Sequence, residues 1–299
     1  MDIKNIEAFI CVSNLQNFTK AAEELGYVQS TVTMQIQQLE REIGSPLFDR
    51  IGRKVSLTST GMRFLPYAHE ILHIMQKVST LDKEIEEIQG ILKVGILESL
   101  FFSTMSKILP EFKKRFPYVT VECTIGPSTD LCDALQHNQL DMVFTSDNLD
   151  TTPSFSWHYK RKERMIFVAN PYHALANKKK VILEELLEYS FIMPERTGNC
   201  YRRLEELAAA KRRDVHDTII VNSVIAIIDL LSHTEGITFL PEYSVASYIS
   251  QGILSYIHAD IEDQYFYSQV LCHKSKWISP FAEYMITLIK DAHHVTVPT

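Results

Sequence analysis

No apolar run in this 299-residue chain exceeds five residues, AFICV at 8–12 and VIAII at 224–228 being among the longest. A membrane-spanning helix takes about 18 or more, so none is expected. The opening MDIKNIEAF lacks the basic and apolar regions of a secretory leader. The expectation is a cytoplasmic protein with no membrane partner. Cysteine is also scarce: five, at 11, 123, 132, 200 and 272, with no C-x-x-C. That excludes a disulfide framework and a cysteine-built zinc site, and leaves buried free thiols. There is no internal repeat and no low-complexity tract. Positive charge is short as well, 30 Lys and Arg against 37 Asp and Glu, for a net charge of −7. A broad nucleic-acid-binding face is thereby excluded.

What is present is an ordinary globular composition, 45% hydrophobic and 22% charged, in a length that suits two domains. Charge is unevenly placed. Residues 1–58 carry 6 basic and 7 acidic side chains, yet Arg50, Arg53 and Lys54 crowd into five positions. Any contact with nucleic acid has to be local, through that cluster.

Residues 1–58 read as short helices separated by tight turns. Ile3, Ile6, Phe9 and Ile10 recur at helical spacing; Asn17 or Thr19 can cap a second helix over 20–25, and Gly26 stops it. A third helix, QSTVTMQIQQLEREI, spans 29–43. Its Val32, Ile36, Leu39 and Ile43 fall within about 60° of one another and have to bury. Gln29, Ser30, Thr33, Met34 and Gln37 lie on the side leading away from that stripe. Two helices joined by a short turn, the second offering amides and hydroxyls, form a helix-turn-helix. Pro46-Leu47-Phe48 then opens an extended stretch, the turn at Gly52 carries the basic cluster, and 55–57 return as a second strand, making the motif winged.

Residues 59–90 read as one long helix and a hinge at Gly90. Apolar groups at 64, 68, 71, 75, 78, 81, 85 and 88 approximate a heptad seam, as in a helix pairing with its own copy. At 1.5 Å per residue it is about 45 Å long, and Pro66 weakens one turn. From 91 onward, strands and helices alternate: ILKVGIL, a helix over 99–115, YVTVECTI, a helix over 129–137, LDMVFTS, and again FIMPE, a helix over 200–210, TIIVN, a helix over 223–232, GITFLP. Such alternation means parallel βαβ units. Two extended stretches, 155–169 and 254–274, join two lobes, and a C-terminal helix starts near 280. The fold class is α/β overall. The expected divisions are 1–58, 59–90 and 91–299, the last split into lobe I (about 91–160 and 268–299) and lobe II (about 161–267). A cleft between two lobes binds small molecules.

Phe18-Thr19, Ala21-Ala22, Leu25, the run QSTVTMQIQQLEREIG, Pro46-Leu47-Phe48-Asp49-Arg50 and LTSTG at 57–61 together resemble the LysR-type transcriptional regulators of bacteria. The resemblance covers essentially the whole chain and is densest in 1–61. It implies a winged helix-turn-helix, a dimerising linker helix, and a two-lobed domain resembling type II periplasmic binding proteins. It further implies a homodimer or homotetramer on double-stranded promoter DNA, with a small-molecule effector in the cleft, no cofactor, no metal and no catalytic residue. DNA contacts map to Gln29, Ser30, Thr33, Met34 and Gln37 on the recognition helix and to Arg50, Arg53 and Lys54 on the wing. Val28 stands where a capping Ser is frequent. Met34 stands where Arg or a polar residue is frequent, so base reading there turns apolar, as toward a thymine methyl. The effector positions map to Glu98, Ser99, Leu100, Ser128, Thr129, Arg196, Asn199, Cys200, Asn222 and Ser223. Glu98 suits a ligand carrying an amine better than a plain dicarboxylate. Ser99, Thr129 and Ser223 also suit helix caps.

Two motifs point elsewhere. His69-Glu70-Ile71-Leu72-His73 fits the zinc-peptidase pattern H-E-x-x-H. Gln76 and Ser79, however, stand where the extended motif places Gly and the third ligand, His. GNCYRR, at 198–203, resembles the sensing-cysteine region of peroxide-responsive members, with Arg196, Arg202 and Arg203 able to activate Cys200; its second cysteine is replaced by Ala209. A free solute-binding protein would have no use for residues 1–89.

The division of labour gives a first prediction. Glutamines read adenine edges, whereas wing cations neutralise phosphate and set register. Lys54→Ala is expected to weaken binding to all sequences alike and to shallow the log K–log salt slope by about one unit. Filter-binding titrations across salt concentrations check this; an unchanged slope contradicts the assignment.

Overall fold

The computed structural model describes residues 1–51, 54–79, 88–196, 198–215 and 218–294. Three helices open the chain: α1 Ile3–Leu15, α2 Phe18–Leu25 and α3 Gln29–Ile43. Asn17 caps α2, its Oδ1 accepting the N–H groups of Thr19 (2.9 Å) and Lys20 (3.1 Å), and Gly26 ends it at φ +70°. α3 starts at Val28 without a side-chain cap. The strands β1 Phe48–Ile51 and β2 Lys54–Leu57 pair antiparallel. Val32, Ile36 and Leu39 are fully buried against Phe9, Ala21 and Leu47, and Phe9 packs on Phe48 and Phe64 at 5.4 and 5.1 Å between ring centroids. Glu40 holds the wing to α3: its Oε1 accepts from the N–H groups of Leu47 (2.7 Å) and Phe48 (3.3 Å).

Helix α4, Ser59–Ser79, is capped by Thr58, whose Oγ1 accepts the Gly61 N–H at 3.0 Å and donates to the Pro46 carbonyl at 2.8 Å. Its apolar positions divide. Phe64, Ala68, Ile71 and Leu72 pack on the helix-turn-helix core, whereas Ile74, Met75 and Val78 are exposed. The expected single seam is therefore two surfaces, because the three-helix unit covers one side of the first turns only. Seam positions 81 and 85 lie outside the described residues, and Ile88 is buried in the next core.

The rest is β3 Gly90–Ile96, α5 Glu98–Leu100, a π-helical turn over Phe101–Met105, α6 Ser106–Arg115, β4 Val119–Ile125, α7 Ser128–Gln136, β5 Met142–Asp147 and β6 Phe155–Ala169. Then come α8 Leu183–Leu186, β7 Phe191–Met193, α9 Asn199–Ala210, β8 Thr218–Ile220, α10 Val224–His233, β9 Thr238–Pro241, α11 Glu242–Ser250, β10 Ser255–Ile257, β11 Gln264–His273 and α12 Pro280–His294. The helix expected over 99–115 runs without interruption over 98–115 and carries the π turn within it. β3 runs parallel to β4 and β5, as βαβ units require. The antiparallel strands β6 and β11 connect the lobes. β11 pairs with β5 on one side and β6 on the other, and the end of β6 pairs with β9 and β10. Lobe I closes around Leu92, Val94, Phe112, Phe144 and Ile289; lobe II around Phe167, Phe191 and Phe239, with Phe167 stacked on Phe239 at 4.4 Å.

Gly61 tests the junction between wing and linker. Alanine favours a helix interior over glycine by about 1 kcal/mol. Yet a Cβ at 61 would sit 2.2 Å from the Leu47 carbonyl oxygen and 2.9 Å from Leu57 Cδ2. A backbone oxygen cannot swing aside as a side chain does, so the clash wins. Gly61→Ala is expected to destabilise by about 1–3 kcal/mol in urea unfolding; a stabilised variant would contradict the packing described.

Candidate nucleic-acid interface and ligand cleft

Burial of the α3 stripe turns the opposite face outward. Gln29, Ser30, Met34 and Gln37 are exposed, Met34 by 59%, and Thr33 is half-buried. Gln29 Nε2 donates to Thr33 Oγ1 at 2.9 Å, and Thr33 Oγ1 donates to the Gln29 carbonyl at 3.0 Å. The uncapped first turn is thus tied by its own side chains, and Gln37 is left facing solvent. On the wing, Arg50 lies opposite Val55 and Lys54 opposite Ile51 in the β1–β2 register. Arg53 lies outside the described residues.

A second site lies where the strands of both lobes end. Residues following β3, β4, β5, β7, β8 and β9 line one cavity of about 670 Å³. Carboxyl ends of strands are where α/β sheets hold ligands. Eight of the ten expected effector positions line it: Glu98, Ser99, Ser128, Thr129, Asn199, Cys200, Asn222 and Ser223.

The other two do not. Leu100 is fully buried in the lobe I core, because one residue along the helix rotates it about 100° from Ser99 toward the sheet. Arg196 turns out of the cleft, its guanidinium 5.7 Å from the centroid of the Tyr201 ring, a cation–π contact.

Lobe I reaches lobe II through three groups. Glu98 accepts at both oxygens, from Ser223 Oγ at 3.0 Å and from the Val224 N–H at 2.6 Å. Ser223 in turn caps α10 by accepting the Ala226 N–H at 3.2 Å. Ser99 Oγ shares a hydrogen bond with the Tyr243 hydroxyl at 3.1 Å. Ser99 and Thr129 do not cap their helices, whose N-cap positions are Leu97 and Pro127, without side-chain cap bonds. Asp147, at the end of β5, accepts the Asn148 N–H at 2.6 Å and faces Asn199 and Arg202 across the cavity. Burial raises its carboxyl above the usual range despite those two neighbours. Buried Gln269 fixes the loop beyond it, donating to the Asn148 carbonyl (2.9 Å) and accepting from the Asp150 N–H (3.2 Å).

Asp147, Glu195 and Tyr243 are cleft residues that the sequence reading missed, and Arg202, named there only as a neighbour of Cys200, also lines the cleft. The signal available was positional. Asp147 closes β5, where FTSD breaks an apolar run, Glu195 follows β7, and Tyr243 lies where FLPEY opens a helix after β9.

Neither rival motif finds support among the described residues. Burial, followed by Asp147 and Glu195, pushes the Cys200 thiol up to about 12, away from the thiolate a redox sensor needs. The arginines are engaged elsewhere: Arg202 with Asn199 Oδ1 at 2.6 Å and Arg203 with Glu206 at 2.9 Å. His69 sits at the contact of α4 with lobe I, its Nε2 3.5 Å from Asn138 Nδ2. Burial holds it near 4, helped by Lys276 and His273. An ammonium group beside that ring is a poor setting for a metal ion. The His73 side chain is outside what the structure describes. No helix among the described residues is long and apolar enough to cross a membrane.

A winged helix-turn-helix joined to a two-lobed α/β ligand domain defines the ligand-responsive class of DNA-binding proteins. Residues 3–62 match the bacterial regulatory helix-turn-helix proteins of the LysR family, and residues 86–293 match the LysR substrate binding domain. The chain belongs to the LysR family of bacterial transcriptional regulators. It is a sequence-specific DNA-binding regulator whose promoter binding responds to a small-molecule effector. The HTH-type transcriptional regulator YwqM of Bacillus subtilis is 29% identical over 286 residues, spanning 93% of this chain and 95% of its own. Among solved structures, ArgP from Mycobacterium tuberculosis has a TM-score of 0.72 at 18% identity, over 98% of this chain and 97% of that one. CbnR complexed with its target DNA has a TM-score of 0.54 at 20% identity, over 98% and 100%.

The His69 contact generates a pH prediction. The ring is neutral in the folded protein down to about pH 4 and titrates near 6.5 when unfolded, so the unfolded chain binds the extra proton between those values. Its stabilising contribution is full above pH 6.5 and is lost as pH falls through about 4. His69→Asn is expected to reduce the dependence of urea midpoints on pH between 4.5 and 6.5. It will not abolish it, since burial also lowers His158, His173 and His273. An identical slope in the variant contradicts the prediction.

Proposed function

We propose that α3 enters the major groove, with Gln29, Ser30, Thr33, Met34 and Gln37 at base edges and Arg50, Arg53 and Lys54 on the phosphates. The observation that carries this is the division of α3 into an apolar stripe, fully buried at Val32, Ile36 and Leu39 and half-buried at Ile43, and an outward face of amides, hydroxyls and one thioether. Gln37 and Gln29 offer the donor–acceptor pair that adenine N6 and N7 require, and Met34 offers an apolar contact to a thymine methyl. CbnR, the fold relative solved on its target DNA, lends the arrangement support.

The working division is a DNA-binding unit over 1–58, a linker over 59–90 and a regulatory domain over 91–299. Exposed Ile74, Met75 and Val78 on α4 are the surface offered to a second copy, and a homodimer or homotetramer is the assembly proposed. The cleft binds its ligand and does not transform it: Cys200 is held as a neutral thiol, and Ser99 is bonded to a tyrosine rather than to a base. Action on promoter DNA places the protein in the cytoplasm.

Footprinting upstream of neighbouring genes, with and without candidate metabolites, tests the whole reading. Protection of half-sites about 10 bp apart, or a multiple, is expected for a dimer, with Gln37→Ala erasing base discrimination while leaving nonspecific affinity. Protection without any preferred sequence would overturn it.

A further inference from the structure

We propose that the cleft takes a ligand carrying a protonated amine or guanidinium group, held by the lobe I carboxylates Glu98 and Asp147, rather than a carboxylate ligand. The inference rests on the cleft being the effector site and adds the chemical class of what fills it.

Helix N-termini are the natural seats for anionic ligands, since their N–H groups point outward unpaired. In this cleft the N-terminus of α10 is already taken. The Val224 N–H and Ser223 hydroxyl both donate to Glu98. An incoming carboxylate would have to expel a carboxylate of the same charge from the same two donors, and would gain nothing by the exchange. The second N-terminus, that of α9, faces Asp147, which lies beside Asn199 and Arg202. Lobe I thus presents its own anions to two of the three lobe II helix ends at the cavity, and the third, that of α11, opens with Glu242.

Charge balance points the same way. Among the described residues, the charged side chains lining the cavity are Glu98, Asp147 and Glu195 against Arg202. That guanidinium is itself hydrogen-bonded to Asn199 at 2.6 Å. Asp147 sits within that deficit of positive charge, burial raising its carboxyl despite Arg202. A cation entering the cavity relieves this deficit; an anion deepens it. Acceptors remain available, because a carboxylate offers about four lone-pair sites and Glu98 uses two. Leu97, Ile125, Pro127 and Leu240 give the cavity an apolar wall for a short alkyl chain. Its volume of about 670 Å³ suits a small metabolite.

The test is calorimetric titration of the full-length protein at fixed ionic strength with two cations, 1,4-diaminobutane and 4-aminobutylguanidine, and two anions, butanedioate and hexanedioate. At least one cation is expected to bind and both anions to fail. Glu98→Gln and Asp147→Asn are each expected to weaken cation binding at least tenfold, while Glu262→Gln, an exposed acidic position outside the cavity, leaves it unchanged. Both test variants are isosteric, and a thermal melt of each confirms that the fold is kept. Binding of an anion but no cation, failure of both cations, or cation binding indifferent to both substitutions overturns the proposal. A parallel footprint separates the two layers. Cation binding that leaves DNA protection unaltered contradicts the effector reading alone, whereas protection altered by an anion contradicts the ligand class alone.

Discussion

Burial of Val32, Ile36 and Leu39 against α1, α2 and the start of the wing is the constraint on which the DNA-binding half depends. Three side chains removed entirely from water supply roughly 1.5–3 kcal/mol each. No alternative rotation of α3 recovers that, because any other face would bury more of its amides and charges; even here one glutamine, Gln35, is buried with its Oε1 unpartnered. The helix is therefore fixed about its own axis, and the identity of the outward residues is a consequence of where the inward ones must go. Glu40 extends the same logic to the wing, locking Leu47 and Phe48 to α3, so helix and hairpin present themselves as one rigid surface.

The regulatory half obeys a different constraint. Strands end on one side of each lobe, helices begin after five of them, and six such strand ends surround one cavity. Lobe I meets lobe II there through polar contacts at Glu98 and Ser99, with the continuous strands β6 and β11 running behind them. Polar contacts of this kind exchange readily with a ligand's own polar groups, whereas the packed aromatic core of each lobe does not.

Much of this was legible in the sequence, and for identifiable reasons. Asn17 and Gly26 announce the limits of α2 through local chemistry, and the spacing of Val32, Ile36 and Leu39 sets the face of α3 without reference to anything distant. The alternation of strands and helices gives the parallel units and hence the cleft. What escaped were features fixed by tertiary contact. Leu100 sits beside Ser99 in sequence but points into the core, and Arg196 finds an aromatic ring five residues on. Asp147 and Tyr243 matter because chain folding brings the third junction of each lobe to the same cavity. The two-sided use of α4 was hidden because a heptad pattern records that residues are apolar, not which partner covers them.

The central claim, that the outward face of α3 is the surface that reads DNA, is tested most directly by tethered cleavage. A hydroxyl-radical-generating iron chelate attached at Gln37→Cys should cut both strands inside each protected half-site, offset as expected for a reagent in the major groove. Cleavage confined to the flanks of the site, or absent while the protein remains bound, would contradict the account.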